Sequence, residues 1–515
     1  MMEVLLNDGS FSYDVHSLTK AFYPSEDVKI IPMENGKRIP ADPVKTEQHK
    51  QAMAERENEL IAVSVEEHEV SIRIRERLTE AAVPENCPRQ EVKNILKKTL
   101  YHALCEENGH RLPWGTLSGI RPVKVPMRMM MNGHTETEAR SYFQTTYLAD
   151  DSRTALALAI AKRELAVLDG REPLSSGKRA AGGRQEILDG YSLYVSIPFC
   201  PSICLYCSFP SGTIGTYRKH IEEYLTALDK ELSETALLMR GKKLLSVYIG
   251  GGTPTALEPE QLLRVMEMIG KHFDMSSLLE YTMEAGRPDT ITREHLLNMR
   301  AHGVNRVSVN PQTMHQKTLD LIGRCHTVED TERAFALARE AGFTDINTDL
   351  IIGLPGEREK EIMETLEAVR KLDPDALTVH SLAVKRSSRL HERMEEYGSS
   401  IEPVSENTMD AIIAEENKNG LAPYYLYRQK NIAGNLENIG FAKPGKAGLY
   451  NILMMEELHT VIACGAGAIS KIVYPGLERI ERAANVSDIA SYLARTDEMI
   501  ERKRSVLRAM REETD

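Results

Sequence analysis

From residue 192 onward the chain alternates in a way that leaves few folds open. Six short apolar runs, rich in Val, Ile and Tyr, cover 193–197, 245–249, 280–284, 306–309, 347–351 and 377–381. Helical patterns separate them, at 216–239, 259–272, 293–301, 329–341 and 359–370. Continuous apolar runs mark strands buried on both faces, and parallel strands need a crossover long enough to hold a helix. Repetition of this unit gives a parallel sheet with right-handed crossovers. Six units fall short of the eight that close a barrel. The expected fold is α/β, a partial (β/α)6 barrel, with its chemistry at the carboxyl ends of the strands.

The flanks read differently. Residues 1–169 carry strand-like stretches at 3–6, 28–31, 61–65 and 70–73, then helical patterns at 88–106 and 136–168. That predicts an α+β N-terminal domain. The loop 110–122 holds the single Trp, Trp114, together with Arg121. It reads either as a packed turn or as a contact for a ligand or another domain. Residues 170–189 are rich in Gly and Ser and read as a linker. The barrel then takes 190–390, and 391–515 is expected to form a C-terminal cap domain.

Charge narrows the partners. Lys plus Arg total 64 against 76 for Asp plus Glu, a net of −12. A broad nucleic-acid surface is not expected, because phosphate binding wants a basic excess. A local cationic pocket for a small anion stays open. The start, MMEVLLNDGSFSY, has no apolar core of a signal peptide. No run is long and apolar enough to predict a membrane span. Three of the seven cysteines fall within eight residues, which suits a metal or cluster in a reducing compartment rather than disulfides. A cytoplasmic location is expected.

Those three are Cys200, Cys204 and Cys207, spaced C-x3-C-x2-C directly after the first run. Structural zinc wants four ligands, and the next histidine, His220, lies in a helical pattern. A [4Fe–4S] cluster can take three thiolates and keep one iron open for a small chelating ligand. Cys87, Cys105, Cys325 and Cys464 are scattered and read as small packed residues. Other polar signals sit at or after strand ends: Gly250-Gly-Gly-Thr253, Glu284, Asn310-Pro-Gln312, Arg324, Asp349 and His380-Ser-Leu-Ala383. A Gly-rich turn admits close backbone approach.

A C-x3-C-x2-C loop that follows a strand and opens a βα repeat resembles the radical S-adenosylmethionine superfamily. The resemblance implies a [4Fe–4S] cluster on Cys200, Cys204 and Cys207, with S-adenosylmethionine on its open iron. More narrowly the chain resembles the oxygen-independent coproporphyrinogen III oxidase group, which includes HemN- and HemZ-type enzymes and HemW-type haem chaperones. The N-terminal extension with Leu-Pro-Trp-Gly is similar to the HemZ type. By that resemblance Tyr194, Tyr206, Gly251, Gly252, Thr253, Glu284, Gln312, Arg324, Asp349 and Ala383 match positions that cradle S-adenosylmethionine.

The activity so implied is oxidative decarboxylation of coproporphyrinogen III, with an electron donor and acceptor that the sequence does not identify. Its tetracarboxylate substrate would want cations, with Arg121, Arg287, Arg428 and Lys430 as candidates. Each reads equally as a solvated surface charge. Two positions depart from the relatives. Phe209 stands where HemN-type enzymes carry a fourth Cys, and Tyr450-Asn451 stands where many HemW-type proteins carry His-Asn. Three readings therefore stay open: decarboxylase, haem chaperone, or an enzyme that modifies haem.

Overall fold

The first sheet is built on alternation. Strand β5 (Glu69–Ile74) buries Val70, Ile72 and Ile74 and turns the residues between them outward. One apolar face therefore packs on helices while the other meets water. In this computed structural model the described residues are 2–24, 26–34, 37–38, 61–119, 121–429, 436–476 and 479–514. They group into two units, Met1–Ala159 and Ile160–Asp515.

The smaller unit holds β1 (Met2–Leu6), β2 (Val28–Glu34), β3 (Lys37–Arg38), β4 (Ile61–Val65), β5 (Glu69–Ile74) and β6 (Arg77–Ala82). Their order is β3-β2-β1-β4-β5-β6. Helices Ser12–Phe22 and Arg89–Asn108 supply Val15, Leu18, Leu96, Leu100 and Leu104 to the core. One expectation needs correction. The continuous helix predicted over 136–168 is two helices, Glu136–Tyr147 and Asp151–Leu168. Leu148 turns left-handed at φ 57°, and the Asp150 side chain accepts from Arg153 N at 2.7 Å to start the second helix. Of the two readings of the 110–122 loop, the packed turn is the one found: Trp114 is 1% exposed and edge-on to Phe143.

The larger unit opens with β7 (Tyr191–Ile197), β8 (Phe199–Cys200) and β9 (Gly212–Thr213). Strands β10 (Leu244–Gly251), β11 (Glu280–Glu284), β12 (Arg306–Ser308), β13 (Ile346–Ile352) and β14 (Ala376–Ser381) follow. Next come β15 (Ala422–Arg428), β16 (Glu437–Ala442), β17 (Thr460–Cys464), β18 (Ile469–Val473) and β19 (Ile480–Ala484). Strands β7 and β10 to β14 pair in parallel, each beside its successor. These are the six predicted runs, with ends moved by one or two residues, and they form the expected mixed α/β partial barrel. The sheet continues at both margins. Strand β16 pairs antiparallel with β14, and β17 pairs parallel with β7.

Residues 170–182 are fastened to the unit's lower end. Ser176 Oγ donates to Leu279 O at 2.7 Å and Lys178 Nζ to Leu278 O at 2.8 Å. A helix occupies Gly183–Asp189. At that end Arg306 and Asp345 pair at 2.8 Å, both nearly fully buried. No helix among the described residues is long and apolar enough to cross a membrane.

Candidate functional site

The cysteine loop begins where β7 ends. Cys200 lies in β8, Cys204 is buried, and Cys207 N donates to Cys204 O at 3.2 Å, which folds the loop back on itself. The Gly-rich turn after β10 presses directly on this strand. Gly252 N donates to Ile197 O at 2.8 Å and Thr253 N to Phe199 O at 2.7 Å. A Cβ on Gly252 would lie 2.6 Å from Phe199 O, and one on Gly251, at φ 108°, would lie 2.7 Å from Ser196 Oγ. These glycines are required by contact with the cysteine strand. Thr253 Oγ1 then sits 3.5 Å from Cys200 Sγ.

Arg287 is the site's embedded cation. It is 2% exposed, pairs with Asp289 at 3.1 Å, donates to Ser202 Oγ at 3.1 Å and reaches Cys204 Sγ at 3.8 Å. As a candidate for substrate carboxylates it is therefore already engaged at the cysteine loop. Of the other candidates, Arg428 is buried at the end of β15, Arg121 belongs to the smaller unit, and Lys430 lies outside the described residues.

Arg324 braces three loops. Its guanidinium donates to Tyr206 Oη at 3.1 Å, and to Gly286 O and Asn310 O at 2.6 Å each. Gln312 has φ 73°, a conformation that side chains rarely adopt. Its N donates to Asp349 O at 3.0 Å, and its own carbonyl accepts from Ile351 N at 2.9 Å. That bridge onto β13 holds the strain, while the buried Oε1 has no hydrogen-bond partner among the described residues. Ala383, half-buried, follows β14.

Two carboxylates are shifted in opposite directions: Glu284, which closes β11, and Asp349, which lies in the middle of β13 rather than at its expected carboxyl end. Glu284 accepts from Tyr248 Oη and, at 3.1 Å, from Asn310 Nδ2. Burial and then the charge of Asp349 push its carboxyl up to about 7. Burial acts on Asp349 in the same direction, but His380 and the Asn347 amide at 2.9 Å outweigh it and hold that group below the usual range. His380 Nε2 lies 3.8 Å from Asp349, and its Nδ1 lies 3.1 Å from Tyr427 Oη. One protonated and one ionised acid can serve as donor and acceptor toward a polar ligand. Beside them Tyr194, Tyr248 and Tyr450 form a stack, with the closest ring centroids 4.5 Å apart.

The structure brings the Gly-rich turn against the cysteine strand, and Arg324 and Arg287 against the cysteine loop, while Asp349 lies inside β13. Sequence reasoning missed Tyr248, Tyr427 and Ser202. Tyr248 had a signal, since it is the register partner of Tyr194 on the neighbouring strand. Burial raises the Cys200 thiol and takes that of Cys207 to about 11. Among the described residues no three His, Cys, Asp or Glu side chains converge on one ion. A multi-iron cluster makes no such demand, because each thiolate takes its own iron. Three thiols on one loop, an embedded guanidinium and an orphaned Gln312 amide oxygen thus fit a cluster with a polar organic ligand.

A model of the radical SAM superfamily matches residues 194–369. The chain is 38% identical over 429 residues to the oxygen-independent coproporphyrinogen-III oxidase-like protein HemZ of Bacillus subtilis, covering 82% of this chain and 83% of HemZ. It is 32% identical over 280 residues to the heme chaperone HemW of Bacillus subtilis, covering 54% and 70%. With the oxygen-independent coproporphyrinogen III oxidase of Escherichia coli it shares 37% over 196 residues, covering 37% and 42%. The solved structure of coproporphyrinogen III oxidase HemN from Escherichia coli, described as a radical SAM enzyme, aligns at TM-score 0.50 and 24% identity, covering 62% and 73%.

Proposed function

Because this chain belongs to the radical SAM superfamily, and within it to the oxygen-independent coproporphyrinogen-III oxidase-like proteins that use S-adenosylmethionine and a [4Fe–4S] cluster, we propose that it converts coproporphyrinogen III to protoporphyrinogen IX in the cytoplasm. One observation carries the reading. The likeness to HemZ spans 82% of the chain, well beyond the 194–369 barrel segment shared across the superfamily.

The bound pair supplies one-electron chemistry strong enough to break an unactivated C–H bond. The chain's own residues hold and shield it. Cys200, Cys204 and Cys207 would hold three irons, and the Arg287 guanidinium would offset the negative charge gathered there. Glu284, Gln312 and Asp349 would orient the amino-acid and ribose parts of S-adenosylmethionine, while Arg324 fixes the loops around them. The stacked Tyr194, Tyr248 and Tyr450 rings wall the site and exclude water. In each of two turnovers a substrate propionate would give one hydrogen atom to the 5′-deoxyadenosyl group and release carbon dioxide, and the remaining electron would pass to an external one-electron acceptor, which leaves a vinyl group.

The test is anaerobic reconstitution with iron and sulfide, then S-adenosylmethionine, dithionite and coproporphyrinogen III. The expected result is 5′-deoxyadenosine together with a product two formic acid equivalents lighter, and neither from a Cys204→Ala protein. A second reading, a haem chaperone, is favoured by Phe209, which is 70% exposed two residues after Cys207. Release of 5′-deoxyadenosine with unchanged porphyrinogen, alongside haem binding, would put that reading first.

A further inference from the structure

The reading above requires one electron from outside the chain for each cleavage, and the present inference rests on it. Over the cysteine loop lies a surface that the site itself does not use. The segment 385–391, Lys-Arg-Ser-Ser-Arg-Leu-His, follows β14 and is fastened onto that loop. Leu390 N donates to Leu205 O at 2.8 Å, and the Arg389 guanidinium meets Ile203 O at 3.4 Å. Leu390 packs with Leu205, Ile322 and Leu382 beneath. The segment's place above Cys204 is thus fixed by main-chain bonding and an apolar seat.

Its cations face outward. Arg386 and Arg389 are exposed, and Lys385 is half-buried. Among the described residues none of the three makes an ion pair, whereas the next cation, Arg393, is bound to Glu396 at 2.6 Å. The acids of this stretch, Glu392, Glu395 and Glu396, all come after the cations. On the same loop Cys200 and Cys207 are only partly buried, so the thiol triad approaches the surface here. Phe209, 70% exposed, adds an apolar contact beside Cys207.

The chain's net charge of −12 disfavours acidic partners overall. A cationic patch on the cysteine loop supplies local charge of the opposite sign where the cluster would lie, and complementary charge raises encounter rate and sets orientation. We propose that this surface docks an acidic one-electron carrier protein of the reduced flavin or iron–sulfur class. Lys385, Arg386 and Arg389 form its cationic rim, with Phe209 as the apolar contact. One electron leaves the carrier and enters the cluster, and no bond forms or breaks in that step.

The probe is an acidic flavodoxin titrated calorimetrically into the full-length protein, with and without the cluster, at low salt and at about 0.15 M, where the screening length is ~8 Å. Arg386→Glu/Arg389→Glu is expected to weaken binding about tenfold or more. Lys371→Glu, the same kind of charge change at the far end of a barrel helix, is expected to leave it unchanged. Wild-type affinity is expected to fall with salt. In parallel, 5′-deoxyadenosine formation is driven by dithionite and by reduced flavodoxin, and only the flavodoxin-driven rate should drop in the double variant. Absence of wild-type binding, or equal binding by the double variant, overturns the docking surface. Failure of dithionite-driven cleavage in the cluster-loaded wild type overturns the radical reading instead.

Discussion

At the scale of single residues, the site depends on what cannot be added. A Gly252→Ala side chain would meet the Phe199 backbone at 2.6 to 2.9 Å. The turn must then lift off the cysteine strand, at a cost of about 1–3 kcal/mol. The expected outcome is a folded protein that holds less than about half the wild-type iron, measured per chain after reconstitution. The thiols give a second expectation. Burial raises Cys200, and Cys207 to about 11, so loading must displace protons. Iron uptake by the apo-protein should therefore rise between about pH 7 and about pH 9, and a flat profile would contradict this. Glu284 gives a third. Its folded carboxyl titrates at about 7, above its unfolded value, so the folded state binds more protons in that window. Stability of the apo-protein then falls as pH rises toward 7. Glu284→Gln should flatten the profile and gain roughly 1–3 kcal/mol at about pH 8, read by chemical denaturation. The cysteines were legible because three thiols at fixed spacing have few other uses. The pairing of His380 with Tyr427 was not, because it joins positions 47 residues apart across separate strands.

Among elements, the barrel strands were readable because burial on both faces writes them as continuous apolar runs. The predicted 136–168 helix failed on one residue. Leu148 carries no helix-breaking signature, yet it adopts the left-handed conformation at φ 57°. Charge pairing between distant elements was equally hidden. Glu231, on helix Ile221–Leu238, is fully buried against Lys503, on helix Thr496–Thr514. Tyr492 Oη, Gly465 N and Asn485 Nδ2 also donate to that carboxylate. Lys503→Met strands the acid and should cost about 3–5 kcal/mol in denaturant unfolding, whereas Glu231→Gln/Lys503→Met should cost less than the single change.

For the whole molecule, two units with separate cores predict that ligands act unequally. Anything that binds only the native form of one unit raises the stability of that unit. Cluster loading should therefore raise the calorimetric transition of the 160–515 unit and leave that of the smaller unit in place. A uniform shift of a single transition would contradict this. The margin of the large sheet has a consequence for biosynthesis. Strand β7, which leads into the cysteine loop, has β10 on one side and β17 on the other, and Tyr191 pairs with Thr460. On a ribosome, β7 emerges some 270 residues before that second neighbour. Until then it is an open edge, prone to pairing with other chains. Such long-range pairing also slows folding. The nascent barrel thus has its cysteines in place but one flank of their strand uncovered. Iron–sulfur assembly that waits for release of the nearly complete chain would meet a closed sheet, whereas assembly during translation would meet a strand still waiting for its neighbour.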